Sequence, residues 1–441
     1  MFLQALSLTS ITPPAAYHRL WTPLITLWYL IWQALLTRRT LQQVLTDARR
    51  GGADRLARRG KALSKGLQSK ATTSYSKARK RLPLEWVRDC FLRLARSLRS
   101  LGQPPADDLP VQLLDGSTKR LRPHHDIPKE FRPHRTRRQR PYWCLARVLV
   151  SFCAWTGVAM GALIASTQIS EQALAVQLLL QAAQRVLYIG DRNFGVWRVV
   201  RAAVQSGGHA LVRLTEVRAR RLWGKKRLPG RLDQLVLWTP TSHDQVDEGL
   251  DKQPVAGRLV ILKAHRPGYR PVNLYLFTTL TDPVAYAPAR LLELYGLRWQ
   301  VELNFRTIKS TMQMDQSEAK SADMVRKEFY AGLIAYNLVR GLMAAAATQD
   351  GCAPAALSFS KVQGLLVAVI TELFMHWMSG SARQQRLQWL LSEASAAKLP
   401  HRRKPRPPEP RAQYRKPQVF PTIKTTRAAA RRALKKALLK S

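Results

Sequence analysis

The chain has 441 residues, of which 72 are Lys or Arg and 28 are Asp or Glu, for a formal charge of +44 and a pI near 11.2. Such a length exceeds one ordinary core and suits two or three domains, each able to bury its own apolar interior. So lopsided a charge calls for a polyanionic partner, nucleic acid first among them, and its spread over many segments, not beside one apolar anchor, argues against a membrane surface.

The N-terminal MFLQALSLTS lacks a basic leading region and a clear cleavage site, which argues against export. Trp21 to Leu36 is apolar but short, and Pro23, Thr26 and Gln33 within it favour a core helix over a membrane span. Cys90, Cys144, Cys153 and Cys352 are scattered with neither zinc nor disulfide spacing, which suits a reducing cytoplasm. Residues 38–99 hold 18 Lys or Arg against Asp47, Asp54, Glu85 and Asp89, on helix-compatible periodicity. Residues 1–105 therefore read as a basic helical DNA-binding domain. Its stretch SYSKARKRLP sets Lys77, Arg79, Lys80 and Arg81 against phosphates, with a helix over 84–101 behind them. A merely solvated basic face is the rival reading, and the charge excess favours DNA.

After the GQPP linker, Val111 to Leu114 reads as a short buried strand ending in Asp115-Gly116-Ser117. The following KRLRPHHDIPKEFRPHRTRRQRP reads as a loop, with His124, His125 and His134 as surface residues rather than metal ligands. Tyr142 to Trp155 and Val158 to Gln168 form a strand pair, which resolves the apolar run from Val148 to Ala165 into two strands joined by a turn. Ser170 caps a helix that begins at Glu171 and runs to about Arg185. The strand VLYIG runs into Asp191, and a helix over 195–206 and a strand over 209–214 complete a mixed α/β order in which two acids leave the ends of apolar strands. From 215 to 284, LVLW, RLVILK and VNLYLFTTL predict a β-rich insertion that folds as a subdomain, with RARRLWGKKRLPGR near its start. Trp223 and Trp238 lie among cations there, a mixture that can stack on an unpaired base, although packing is the commoner use of either ring.

Pro288 opens a helix through about Lys309, and apolar helices over 329–346 and 359–378 can cover one face of the sheet. The segment 391–441, with 14 Lys or Arg and one acid from His401 onward, reads as a basic and largely disordered tail. On one helix at about 100° per residue, Tyr295, Arg298, Trp299, Glu302, Arg306 and Lys309 share a face. Glu302 then has two readings. It can pair with Arg298 or Arg306 at four-residue spacing, or it can join Asp115 and Asp191 as three carboxylates sharing two Mg²⁺ ions, with the neighbouring cations gripping phosphates and Tyr295 donating to a phosphate oxygen.

The spacing Tyr295-x2-Arg298-x3-Glu302-x6-Lys309 resembles the Y-R-E-K signature of bacterial insertion-sequence DDE transposases of the IS-four-like family. Asp115 in LLDGST and Asp191 in YIGDRNFG resemble that family's first two catalytic aspartates, and a β-rich insertion before the glutamate is also its habit. The resemblance implies an α/β protein with an RNase H-like mixed-sheet catalytic core in two parts, 106–214 and 285–390, joined by the insertion and flanked by a helical N-terminal domain and a helical C-terminal region. It implies Asp115, Asp191 and Glu302 as catalytic residues and ligands of Mg²⁺, which Mn²⁺ can replace, and Tyr295, Arg298, Trp299, Arg306 and Lys309 as DNA contacts. Arg306 stands where some relatives carry a second Lys. The activity implied is cleavage at terminal inverted repeats and joining of 3′ ends to target DNA by a synaptic homodimer in the bacterial cytoplasm, at the nucleoid. Some relatives use an insertion-domain Trp to hold a flipped base during hairpin formation, a role open to Trp223, to Trp238 or to neither. The alternatives are a catalytically silent, transposon-derived DNA-binding regulator and a nuclease on the same core.

Overall fold

Thr22 accepts a hydrogen bond from the Ile25 amide at 3.3 Å, and Pro23 fills the first helical position, so helix α1 (Pro23–Leu35) starts where its cap dictates. In the computed structural model, residues 19–37, 40–57, 62–102, 109–133, 143–182, 185–242, 244, 247–264, 272–375, 380–400 and 425–438 are described. The N-terminal MFLQALSLTS, the linker after Gly102, His134, Tyr142 and the tail from His401 to Lys424 lie outside them. Four further N-terminal helices follow: α2 (Leu41–Arg49), with a Thr40–Gln43 capping box, α3 (Leu63–Gly66), α4 (Thr73–Arg81) and α5 (Leu84–Leu98). On α5, Trp86, Val87, Cys90, Phe91, Leu94 and Leu98 recur at helical spacing and are all buried.

Strand β1 (Val111–Leu121) is followed by the single turn α6 (Ile127–Glu130) and the hairpin of β2 (Cys144–Cys153) and β3 (Ala159–Ser166). Then come α7 (Glu171–Leu180), β4 (Leu187–Gly190), α8 (Trp197–Gln205), β5 (His209–Arg213) and α9 (Glu216–Trp223). Strands β6 (Leu232–Trp238), β7 (Val255–Ala264) and β8 (Val272–Thr278) precede α10 (Pro288–Gly296) and α11 (Trp299–Arg306). A π-helical turn (Thr307–Thr311), β9 (Gln316–Ser317), α12 (Ala322–Asp350), α13 (Phe359–Met375) and α14 (Gly380–Ala396) complete this unit.

The sheet order is β3-β2-β1-β4-β5-β8-β7-β6, with β9 pairing β1. Its first five strands, antiparallel across β3-β2-β1 and parallel across β1-β4-β5, have the RNase H-like arrangement. Helices α7 and α8 cover one face through Leu174, Leu178, Val199 and Ala203, and α11 and α12 cover the other through Val301, Phe305, Leu333 and Tyr336. Helix α12 is the one described helix long and apolar enough to cross a membrane, but its apolar window is 94% buried in the protein.

Several expectations change here. The strands of 215–284 form no separate subdomain, because β8 pairs antiparallel with β5 and continues the main sheet. Arg258 on β7 locks them in place. It is buried, pairs with Asp233 on β6, and donates to the carbonyls of Asp282 (3.1 Å) and Tyr286 (2.8 Å) on the way to α10. RARRLWGKKRLPGR begins as a helix, α9, ended by Gly224 at φ 71°. Strand β1 does not stop at Leu114, and its extension takes in Lys119 to Leu121, which the sequence places in a loop.

Residues 1–105 are not an independent domain either, since the described N-terminal helices share one apolar core, running from Trp21 to Ala397, with α12 and the sheet. At the C-terminus α14 carries order past residue 391, to Ala396. Residues 425–438 belong to a second unit, described by α15 (Arg427–Leu438), an exposed basic helix in a tail that the sequence predicts to be largely disordered by itself.

Candidate active site

Register brings the two aspartates together. Leu113 on β1 pairs with Ile189 on β4 in parallel; Asp115 stands two residues further along β1 and Asp191 directly after Gly190, where β4 ends. At equal steps on neighbouring parallel strands, side chains leave the same face at adjacent positions. Asp115 lies within β1, not at its end, but the pairing to β4 stops before it, so it borders an opening. Its Oδ1 accepts from the Gly116 amide at 2.8 Å, and Asp191 Oδ1 accepts from the Asn193 amide at 2.8 Å in an Asx turn. Gly190 permits that turn, because a Cβ there would stand 2.7 Å from Phe194 Cβ.

Burial, helped by the charges of Asp191 and Glu171 and opposed by the Gly116 amide and Arg298, pushes the Asp115 carboxyl up to about 6. Its folded value thus exceeds its unfolded one. Ionised Asp115 destabilises the fold above about pH 6, and the penalty disappears as pH falls towards the unfolded value. Asp115→Asn is therefore more stable than wild type in metal-free buffer at pH 7, with the gap closing towards pH 4 in thermal melts; a pH-independent gap refutes this.

Glu302 reaches the same end of the sheet because its helix is tied down on both sides. Val301, Phe305 and Ile308 are buried, and Phe305 meets Phe152 of β2 edge-on with ring centroids 5.3 Å apart. Asn304, also buried, accepts from Arg340 of α12 at 2.6 Å, which fixes the roll of α11. Downstream, β9 pairs with Arg120 and Leu121, and the buried Lys119 ammonium donates to the carbonyls of Met314 (2.7 Å) and Gln316 (3.0 Å). Burial lowers Lys119 to about 8, against the pull of Glu328 and Asp315.

The expected single helix over 288–309 is interrupted at Leu297 and Arg298, which keep right-handed helical torsions between α10 and α11, and it runs into a π-helical turn after Arg306. Tyr295 is buried on α10. Trp299 is 50% exposed, Arg306 is exposed and Lys309 half-buried beside Ser117. Arg298 is the junction. It pairs with Glu302 at 3.0 Å and interacts electrostatically with Tyr295, Asp191 and Asp115, which puts all five in one neighbourhood. Among the described residues no three His, Cys, Asp or Glu side chains converge closely enough to hold a metal ion, so the expected carboxylate triad is not assembled. The ion-pair reading of Glu302 describes this state, because Arg298 neutralises it there.

Of the other expected contacts, Arg79 is mostly buried, pairs with Glu328 of α12 and lies over the Tyr75 ring at 5.8 Å. It is a packing residue. Lys77, Lys80 and Arg81 are exposed and have no ion pair to a described residue. Arg79→Ala should cost roughly 1–3 kcal/mol of stability by removing the cation paired with Glu328, which keeps only the Ser317 hydroxyl at 2.8 Å, whereas Lys77→Ala should change stability by less than about 0.5 kcal/mol; denaturant titration separates the two. Trp238 is core, edge-on to Phe277 at 4.8 Å, and Trp223 ends α9 with the Lys225 ammonium 4.8 Å from its ring. His124 is half-buried and His125 exposed, and the four cysteines are free.

Sequence reasoning overlooked Asn304 and Arg340, the latter signalled by its charge within the apolar run of α12, and it read Glu171 only as a first-turn acid. Residues 107–338 match a family model described as the transposase DDE domain. The chain is 28% identical over 257 residues to transposase InsG for insertion sequence element IS4 of Escherichia coli (strain K12), covering 57% of this chain and 56% of that protein. It thus spans little more than half the length of the curated relative it matches. A cryo-EM structure of a piggyBac transposase synaptic complex with hairpin DNA aligns with a TM-score of 0.41 at 11% identity, over 83% of this chain and 76% of that one.

Proposed function

We propose, from the premise that this chain belongs to the transposase DDE-domain family, that it binds the terminal inverted repeats of an insertion sequence, cuts DNA there and joins the 3′ ends to target DNA. The observation that carries this reading is the register of β1 and β4, which sets Asp115 beside Asp191 while α11 brings Glu302 and Arg298 to the same end of the sheet. The donor set suits a hard divalent cation. Burial first, and the neighbouring Asp191 charge after it, resist ionisation of Asp115, and a bound cation would offset both.

Asp115 and Asp191 would hold Mg²⁺, or Mn²⁺ in its place, with Glu302 a third ligand once its pair with Arg298 is released. When bound, the ions supply an activated nucleophile and stabilise the leaving oxygen at phosphorus. The chain's own part is positional. Arg298, Arg306 and Lys309 grip phosphates flanking the scissile one, Tyr295 donates to a phosphate oxygen, and Trp299 presents an exposed ring beside them. A phosphate that engages Arg298 would also free Glu302. Lys77, Lys80 and Arg81 extend the DNA path, and the basic charge suits a partner of this kind wherever the cell keeps its DNA. A homodimer would bring two ends together.

Incubating the protein with inverted-repeat ends, a target plasmid and Mg²⁺ tests the reading. Strand-transfer products are expected; nicked ends without joining would make it a nuclease, and bound but uncut DNA a silent regulator.

A further inference from the structure

Glu171 stands at the first position of α7, on the face of the sheet opposite α11. The Ser170 hydroxyl caps this helix by accepting from the Ala173 amide at 3.1 Å, and a carboxylate in the first turn is favoured by the helix field. Glu171 is nevertheless only partly exposed. Its carboxyl group lies against Gly116, where an added Cβ would stand 2.5 Å from Glu171 Cδ and 2.8 Å from Oε1. The glycine after Asp115 thus makes room for a second acid. On its other side, Glu171 Oε2 accepts from the Asn193 side-chain amide at 2.7 Å, and the Asn193 backbone amide is the donor to Asp191. Gln172 holds the same residue, donating to the Asn193 carbonyl at 2.8 Å. Arg147 of β2 pairs with Glu171 Oε1 at 3.9 Å, a longer contact than the one to Asn193.

We infer that Glu171 is a positioning residue for the catalytic aspartates: from behind the sheet it braces the backbone at Asp115, fixes the Asp191 turn through Asn193, and adds negative charge where a divalent cation would bind. This rests on the assignment of Asp115 and Asp191 as the cation-binding pair. Groups that orient ligands from behind typically affect metal affinity about 10- to 100-fold. A residue that only capped α7 would have no such effect.

Mn²⁺ titration of the full chain without DNA, followed by electron paramagnetic resonance, tests it. Glu171→Gln keeps an acceptor for Asn193 and the shape of the side chain but loses the charge. It should weaken Mn²⁺ binding about tenfold with an unchanged far-ultraviolet spectrum. Gly116→Ala pushes the carboxylate away without altering any acid, and should also weaken Mn²⁺; it carries the decision should Glu171→Gln fail to fold. Wild-type Mn²⁺ affinity in the folded variant overturns the inference. Asp191→Asn, run alongside, separates the two levels. If it too binds Mn²⁺ like wild type, the assignment of the aspartates has failed; if it alone loses the ion, only the role of Glu171 has.

Discussion

Asp191→Asn should reduce cleavage of inverted-repeat DNA by about a thousandfold or more while leaving metal-free DNA binding near that of wild type. The asparagine is isosteric and its side-chain oxygen can still accept from the Asn193 amide, so the turn after β4 survives. What it removes is the charge. Near Asp115, whose own ionisation is resisted by burial, that charge is one of three that a hard cation could engage. Glu302→Gln should lose activity comparably, although it also releases Arg298 from its 3.0 Å ion pair and can tighten phosphate binding for that reason. Rates within tenfold of wild type for either variant would refute the carboxylate assignment. Loss of DNA binding together with cleavage would point instead to an unfolded site.

Arg340→Ala should be the most damaging change outside the acids. Arg340 is buried in α12 without a carboxylate partner among the described residues; it donates to Asn304 at 2.6 Å and to the Tyr336 hydroxyl at 2.9 Å. Its guanidinium also stands 5.3 Å from the Tyr336 ring and 5.5 Å from that of Phe359. Truncation orphans buried acceptors and loses the ring contacts, together costing about 3 kcal/mol. Because Asn304 lies two residues from Glu302, the roll of α11 loosens as well, and cleavage should fall even at temperatures where the variant remains folded. Urea denaturation measures the first effect and single-turnover cleavage the second. A stability change below about 0.5 kcal/mol, the size of an ordinary surface substitution, would show that Arg340 does not hold the helix.

Much of this architecture is legible in the chain, for local reasons. The cap at Ser170, the strand VLYIG and the hairpin through Thr156-Gly157 depend on neighbours close in sequence, and they appear where the residues predict. The apolar strands before Asp115 and Asp191, and helical spacing around Glu302, singled these acids out as candidates. The misses share a cause. Whether β6 to β8 make a subdomain or extend a sheet depends on the partner of β5, and whether residues 1–105 stand alone depends on what covers their apolar faces. No pattern within either segment encodes those partners. Arg79 shows the limit at one residue, since a basic run looks uniform until Glu328, 249 positions away, claims one member of it.

The sequence by itself determined the inventory: three acids in order, a basic chain, and short elements with their caps, because charge, periodicity and capping are properties of adjacent residues. Only the tertiary structure decided how these act on one another. Strand register brought Asp115 towards Asp191, the buried contact of Arg340 with Asn304 set the roll of the helix that carries Glu302, and the bare Cα of Gly116 admitted Glu171. Each joins residues far apart along the chain through the closeness of backbones, and that closeness exists only after the sheet has formed.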